Sequence, residues 1–351
     1  MKLNEICEVY SGYAIKEFNN IKKGLPVIKI GNILTDGTLN LGECQFSTED
    51  INEKYHSKKG DIYVALSGAT TGKLGIMEDE KKYIINQRVG IIRLKQKSVS
   101  QSYIKFFLLK QTERIIDEAT GCAQPNISPK QIGEYDVPVF PEKEMLQISD
   151  ILNNIVCVIK HYKAMIKKYD DLIKARFIEM FGDPVLNERK FPTLSGADFF
   201  KLSNGRAVPD EKRIETGIPA YGGNGISWYT DEFLMAEDTI VVGRVGFQSG
   251  NVHYVIGPLW ITDNAMYISQ YDKDKFNLRF LCELMQHVNF SRFQDAGDLK
   301  KITQKPFMTF KYILPSMDLQ QKFVNFKIEV DKSRFDIKKS ITELEREVVY
   351  D

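Results

Sequence analysis

Residues 66–74, LSGATTGKL, bring glycines, hydroxyls and a lysine together at nearly the spacing of a phosphate-binding loop. Such a loop works because glycines let backbone amides approach phosphate, and a Gly-Lys-Ser/Thr step opens a helix whose hydroxyl holds Mg²⁺. Here Ala69, Thr70 and Thr71 alone separate Gly68 from Gly72, one residue fewer than the pattern needs, and Leu74 replaces the hydroxyl. The run before it, Asp61 to Leu66, reads as a short strand. The residues after it, Gly75-Ile76 and then Glu78 to Lys82, have no helical apolar period. This stretch fits a polar turn between strands better than a nucleotide cradle. An NTP-using enzyme built around residues 67–73 is the competing reading.

The other chemistry-bearing residues are scattered. His56, His161, His253 and His287 are isolated in the sequence, and no nucleophile-base pair suggests itself. Cys7, Cys44, Cys122, Cys157 and Cys282 include no CxxC, so neither a zinc site nor a disulfide framework is indicated. PDEKR (209–213) has the letters of a metal-dependent nuclease, crowded into one charged loop. The 351 residues are 43% hydrophobic and 27% charged, ordinary for a globular chain long enough for two domains. A net charge of +1 argues neither for nor against nucleic acid, because a local basic stripe can be balanced elsewhere. With no signal-like or membrane-spanning apolar run, a reduced, cytoplasmic protein is expected.

The elements that must position these residues occur twice. Shifting the chain on itself by about 177 residues brings GDIYVALSGATTGKLGI (60–76) onto EDTIVVGRVGFQSGNVHY (237–254). INQRVGIIRL (85–94) then meets ITDNAMYISQ (261–270), and SYIKFFLLKQ (102–111) meets FNLRFLCELM (276–285). TGCAQPNISPKQIGEYDVP (120–138) meets AGDLKKITQKPFMTFKYILP (296–315). Short β-rich runs with Gly, Asn and Asp turns, plus one helix near 102–118 and another near 275–293, make each unit α+β with an irregular, largely antiparallel sheet.

Each unit ends in a proline-marked turn and runs into a helix. Ile148, Ile151, Ile155, Val158, Tyr162, Met165, Tyr169 and Leu172 are spaced as a coiled-coil seam. Phe323, Phe326, Val330, Ile337, Ile341, Leu344 and Val348 form a second seam, interrupted by Ser333-Arg334. Both helices are expected to run about 30 residues, roughly 45 Å. Two such narrow seams predict an antiparallel pair with a globular unit near each end, a dumbbell with fixed separation. FGDPVLNERKFPTL (181–194) reads as the linker into the second unit.

In this order the phrases resemble one family, the specificity subunits of type I restriction-modification enzymes, over essentially the whole chain. The resemblance rests on GDIYVALSGATTGK with NQRVG, TGCAQPNIS, and the helix ending KARFIEMFGDP (174–184). In the second unit it rests on IPAYGGNGISWYTDEFL (218–234), TIVVGRVGFQSGNV (239–252) and WITDNAMY (260–267). It implies two pseudo-repeated target-recognition domains, 1–141 and, with the linker, 181–317. A long antiparallel two-helix coiled coil, 142–180 and 318–351, would separate them. It further implies a non-catalytic subunit that reads a split, asymmetric site on double-stranded DNA. Its helices would dock two methyltransferase subunits, which carry the S-adenosylmethionine and methylate adenine; added motor-nuclease subunits would cleave unmodified DNA. The second helix, with its less regular seam, predicts a shorter docking surface. In keeping with a non-catalytic role, the Asn/Asp-Pro-Pro-aromatic motif of adenine methyltransferases is missing: no Pro-Pro pair occurs. A coiled-coil adaptor whose end units bind protein is a further alternative.

Base reading needs hydrogen-bonding side chains on loops, with Lys or Arg nearby for phosphates. In the first unit the opening turn offers Ser67, Thr70, Thr71 and Lys73, joined by Gln87, Arg88, Gln124, Asn126 and Ser128. The hydroxyls could equally cap the turn's backbone. In the second unit Arg244 and Gln248 lie in the equivalent turn, and Tyr221, Asn224 and Trp228 lie in or beside YGGNG (221–225). Arg is well suited to bidentate contact with guanine, while Tyr and Trp also serve as core residues. Lys300, Lys301, Thr303 and Lys305 form a basic turn suited to phosphates or simply to solvent.

Overall fold

The structure, a computed structural model, describes residues 1–95, 99–119, 125–207, 209–295, 297 and 300–349. It divides into two compact units, one of Met1–Ala164 with the chain from Lys338 onward, the other of Met165–Ile337.

The first unit begins with α1 (Leu3–Ile6), β1 (Cys7–Ser11), β2 (Leu25–Ile28) and β3 (Gln45–Ser47). Then come β4 (Ile62–Ala65), β5 (Leu74–Ile76), β6 (Ile84–Ile85) and β7 (Val89–Leu94). Helices α2 (Gln101–Lys110), α3 (Thr112–Glu118), α4 (Pro129–Gly133) and α5 (Glu142–Phe181) complete it, α5 continuing into the second unit. One antiparallel sheet has the order β1-β7-β4-β5, and a smaller one the order β3-β2-β6, with β2 and β6 parallel. Strand β4 is buried on both faces, which explains its unbroken apolar run. Ile62 and Val64 pack with Leu108, Ile115 and Ile132, while Tyr63 and Ala65 pack with Ile28, Met77 and Ile91. Asp61, at the foot of β4, takes both arms of the Arg93 guanidinium at 2.7 Å. Where one helix was expected near 102–118 there are two, broken at Gln111, whose ψ of 4° lies outside the helical range.

The second unit holds β8 (Thr193–Ser195), β9 (Phe200–Asn204), β10 (Ile218–Gly222), β11 (Gly225–Thr230), β12 (Thr239–Gly243) and β13 (Val252–Val255). Next in the chain are β14 (Trp260–Ile261), β15 (Ala265–Tyr271), α6 (Leu278–Val288), α7 (Lys305–Thr309), β16 (Lys311–Ile313) and α8 (Met317–Val349). Its main sheet runs β9-β15-β12-β13, antiparallel throughout, and its small sheet β11-β10-β14, with β10 and β14 parallel. In these two sheets the strand order is that of the first unit, to which the second adds an antiparallel β8-β16 pair, so the repeat seen in the sequence is a repeat of fold. β12 is likewise buried along its length, Ile240 and Val242 on one face and Val241 on the other.

Helix α5 has 40 residues and α8 has 33. α5 exceeds the expected 30 because its last turns leave the seam and enter the second unit's core. Phe177 and Phe181 are fully buried, and Phe177 meets Phe323 of α8 edge-on at 5.4 Å. Phe181, at the head of the expected linker, is therefore a core residue. The helices pair antiparallel: within the second unit Asp170 meets Arg334 at 2.8 Å, and within the first Lys163 meets Glu345 at 2.7 Å. Arg334, which interrupts the α8 seam, also bonds Asp331 of its own helix at 2.8 Å, so the polar break carries an inter-helix ion pair to Asp170 braced by a second one within α8.

The buried face of α5 is rotated from the expected seam. Ile148, Ile155, Tyr162 and Tyr169 are half-buried as expected, but Ile151, Val158, Met165 and Leu172 are exposed. Their places are taken by Leu152, Ile159, Ile166 and Ile173. Each exposed residue is followed directly by an apolar one, so two seams about 100° apart were both available, and packing selected one.

Candidate nucleic-acid interface

In the first unit three of the polar clusters converge on one backbone cradle. Leu66 N–H donates to Arg88 O at 2.9 Å and Ile127 N–H to Leu66 O at 3.0 Å, while Gly68 N–H reaches Pro125 O at 3.1 Å. The turn after β4, the turn before β7 and the segment before α4 are thus stitched together. Gly68 (φ +78°) and Gly72 (φ +84°) take left-handed conformations that let the turn close, with Gly72 N–H on Ala65 O at 3.0 Å.

This cradle sorts the candidate readers. Gln87, Arg88 and Asn126 are exposed, and Lys73 is half-exposed. Thr71 Oγ1 donates to Gly68 O at 2.7 Å, closing the turn. Ser67 Oγ and Thr70 Oγ1 are buried without a hydrogen-bond partner among the described residues. Ser128 caps α4, its hydroxyl donating to Gln131 Oε1 at 2.7 Å and accepting from Gln131 N–H at 3.2 Å. Gln124 lies outside the described residues. The loop is followed by strand β5 rather than a helix, so the strand-loop-helix context of a nucleotide cradle is missing.

The second unit builds the same cradle from different residues. Arg244 N–H donates to Asn264 O at 2.9 Å, Ile302 N–H to Arg244 O at 3.0 Å, and Gly246 N–H to Lys300 O at 2.8 Å. Gly250 N–H reaches Gly243 O at 2.8 Å, and Gly246 (φ +90°) and Gly250 (φ +91°) match Gly68 and Gly72. Position by position, Arg244 stands where Leu66 stands, Gln248 where Thr70 stands, and Lys301 where Asn126 stands. The YGGNG hairpin seals the cradle: a Cβ on Gly243 would lie 2.6 Å from Gly223 O, so these two backbones pass in contact.

Arg244 is half-exposed, and its Nη1 donates to Asp263 O at 3.2 Å, which fixes the direction of the guanidinium. Gln248, Asn224, Lys300, Lys301 and Thr303 are exposed; Gln248 Oε1 accepts from Asn251 Nδ2. Tyr221 is half-buried in β10, and its carbonyl accepts Thr262 N–H at 2.8 Å. Trp228 lies under the Arg213 guanidinium, 4.0 Å from its ring centre. Asn264, exposed and equivalent to Arg88, was missed by motif reasoning. Its signal was present, since the repeat sets NQRVG against TDNAM with Arg88 opposite Asn264.

No group of three or more His, Cys, Asp or Glu that could hold a metal occurs among the described residues. No helix among them is long and apolar enough to cross a membrane. His287, which stacks on Phe177 at 3.8 Å, is pushed down to about 4 by burial, helped by Lys174, and belongs to the helix core rather than to the cradle.

Known proteins share this double architecture. The sequence pattern of the family described as the type I restriction modification DNA specificity domain matches residues 1–168 and 191–346. A putative type I restriction enzyme specificity subunit of Haemophilus influenzae is 24% identical over 126 residues, 34% of this chain and 31% of its own length. The EcoBI specificity subunit of Escherichia coli is 21% identical over 176 residues, 50% of this chain and 35% of that protein. The chain thus spans about a third of the length of these curated relatives. The crystal structure of the type I restriction-modification S subunit from M. genitalium superposes with a TM-score of 0.59 at 17% identity, covering 99% of this chain and 93% of that one. A chain from a study of complex assembly and conformational transition in the type I system gives 0.56 at 12% identity, covering 100% and 97%. With both repeats matched by the same family pattern, this protein belongs to the type I restriction modification DNA specificity domain family.

Proposed function

We propose that this chain is the specificity subunit of a type I restriction-modification complex and reads a split, asymmetric DNA sequence, each unit reading one half. The observation that carries this reading is the cradle built twice on one hydrogen-bond pattern with different exposed side chains. Gln87, Arg88 and Asn126 occupy one copy; Arg244, Gln248, Asn264 and the Lys300-Lys301 pair occupy the other. Arg, Asn and Gln suit base edges in the major groove, and Lys suits phosphate. Two cradles with different side chains would give two unlike half-sites.

Helix α5 supplies the support for partner docking. Ile151, Val158, Met165 and Leu172, 39–60% exposed, recur every seven residues outside the α5–α8 seam. An apolar heptad row facing water suits a second helical surface, here that of methyltransferase subunits carrying S-adenosylmethionine. The chain itself then does no bond chemistry; methylation and cleavage belong to its methyltransferase and restriction partners.

The test is a base-resolution map of adenine methylation in the host genome, with and without this chain. Loss of one bipartite motif on deletion supports the reading and displays both half-sites. An unchanged map in a host whose other methylation motifs are intact counts against it. Exchanging residues 190–315 for those of a relative should alter one half of that motif and leave the other unchanged.

A further inference from the structure

Phe247 is 85% exposed at the tip of the turn between β12 and β13. Single exposed apolar residues on soft loops are ordinary. This turn is braced: Gly246 N–H holds Lys300 O at 2.8 Å, Ser249 N–H holds Gly246 O at 3.0 Å, and Asn251 N–H holds Gln248 O at 3.1 Å. From beneath, the Gln294 side-chain amide donates to Phe247 O at 3.3 Å and to Ser249 O at 2.5 Å. Five hydrogen bonds therefore hold in place a backbone whose most prominent side chain contributes nothing to its own core.

The same turn carries the guanidinium of Arg244, aimed by Asp263 O, and is bridged to the exposed lysines at 300 and 301. At the equivalent position of the first unit stands Ala69, exposed and too short to project. An apolar side chain among phosphate- and base-seeking groups can act on DNA as a wedge that enters between base pairs, unstacks them and kinks the helix. A braced turn suits that use because the ordering cost is met before binding.

We propose that Phe247 enters the duplex as a wedge and unstacks one base step in the half-site read by the second unit, with no counterpart in the first. The idea rests on the DNA-reading function proposed above. Lysines and Arg244 hold the backbone and an adjacent base while the ring occupies the opened step. Because base chemistry requires a nucleotide to leave the stack, a step already opened lowers the cost of extrusion nearby.

The full chain, purified with the subunits that accompany it from its host, is tested on duplexes bearing the mapped motif. A fluorescent adenine analogue, quenched by stacking, is placed at successive positions across both half-sites. Wild type should raise emission severalfold at one step of one half-site. Phe247→Ala should abolish that rise and weaken binding by about tenfold or more, while Phe247→Leu, still a wedge, should keep most of it. Since the side chain is 85% exposed, the Ala variant should melt at the wild-type temperature. Equal emission profiles for wild type and Phe247→Ala would overturn the wedge while leaving DNA reading intact. Loss of preference at a single A·T pair without any emission change would also overturn it, assigning Phe247 to a thymine methyl contact. A wild-type complex that binds no duplex at all would overturn both proposals.

Discussion

The two cradles differ almost everywhere in side chain and almost nowhere in backbone. Leu66 of the first unit is buried in the core, whereas Arg244, at the same place in the hydrogen-bond pattern, is half-exposed with its guanidinium on Asp263 O. Paired lysines at 300 and 301 replace Pro125 and Asn126. The pattern survives because it uses N–H and C=O groups that every residue but proline supplies, together with glycines at two left-handed positions. A scaffold that asks so little of side chains leaves them free to be chosen for what they contact.

The comparison extends beneath the cradles. Both central strands are directly preceded by an aspartate, but Asp61 is almost fully buried in a fork with Arg93, while Asp238 is half-buried and accepts the Tyr254 hydroxyl. Asp61→Ala should therefore cost about 3–5 kcal/mol, because it leaves a buried guanidinium unpaired. Asp238→Ala should cost only about 1–3 kcal/mol. Protection of β4 and β12 amides from hydrogen exchange measures both; equal losses would mean that the two strand bases are equivalent after all.

Within the cradles, Leu66→Ala should destabilise the first unit by about 2–5 kcal/mol and leave its base preference unchanged. Arg244→Ala should leave stability unchanged and remove about 1–3 kcal/mol of discrimination at one base pair. Binding competition across single-base variants of the motif decides this. A uniform loss on every sequence would make Arg244 a phosphate contact and narrow the difference between the two positions.

The smallest effect tests the sameness rather than the difference. Gly68→Ala and Gly246→Ala should each cost about 1–2 kcal/mol for an L-residue held at positive φ. At neither position would the added Cβ meet anything closer than 3.7 Å. A cost at one position and none at the other, in urea unfolding of each variant, would show that one turn can relax and that the cradles are less alike than their hydrogen bonds.

Much of this is legible in the sequence itself. The repeat offset brought Asp61 against Asp238 and Arg88 against Asn264, and the β-branched runs marked the doubly buried strands. The roles of Ser128 and Thr71 were not legible, because a hydroxyl has one inventory of bonds whether it caps a helix, closes a turn or meets a base. Ser128 caps α4 and Thr71 closes its own turn, and only the neighbours in space distinguish those uses.

The sequence by itself determined the doubled α+β plan, the placement of a polar glycine turn after each central strand and the existence of two long helices. Those features arise from local periodicity, turn chemistry and self-similarity, all carried by residues near one another in the chain. The tertiary structure decided which seam α5 buries. Ile151-Leu152, Val158-Ile159, Met165-Ile166 and Leu172-Ile173 are apolar pairs offering two faces, and burial of Phe177 and Phe181 in the second core coincides with the choice of one. It also decided which polar residues share a cradle, because hydrogen bonds joining positions 66, 88 and 127, or 244, 264 and 302, depend on strand order rather than on any local motif.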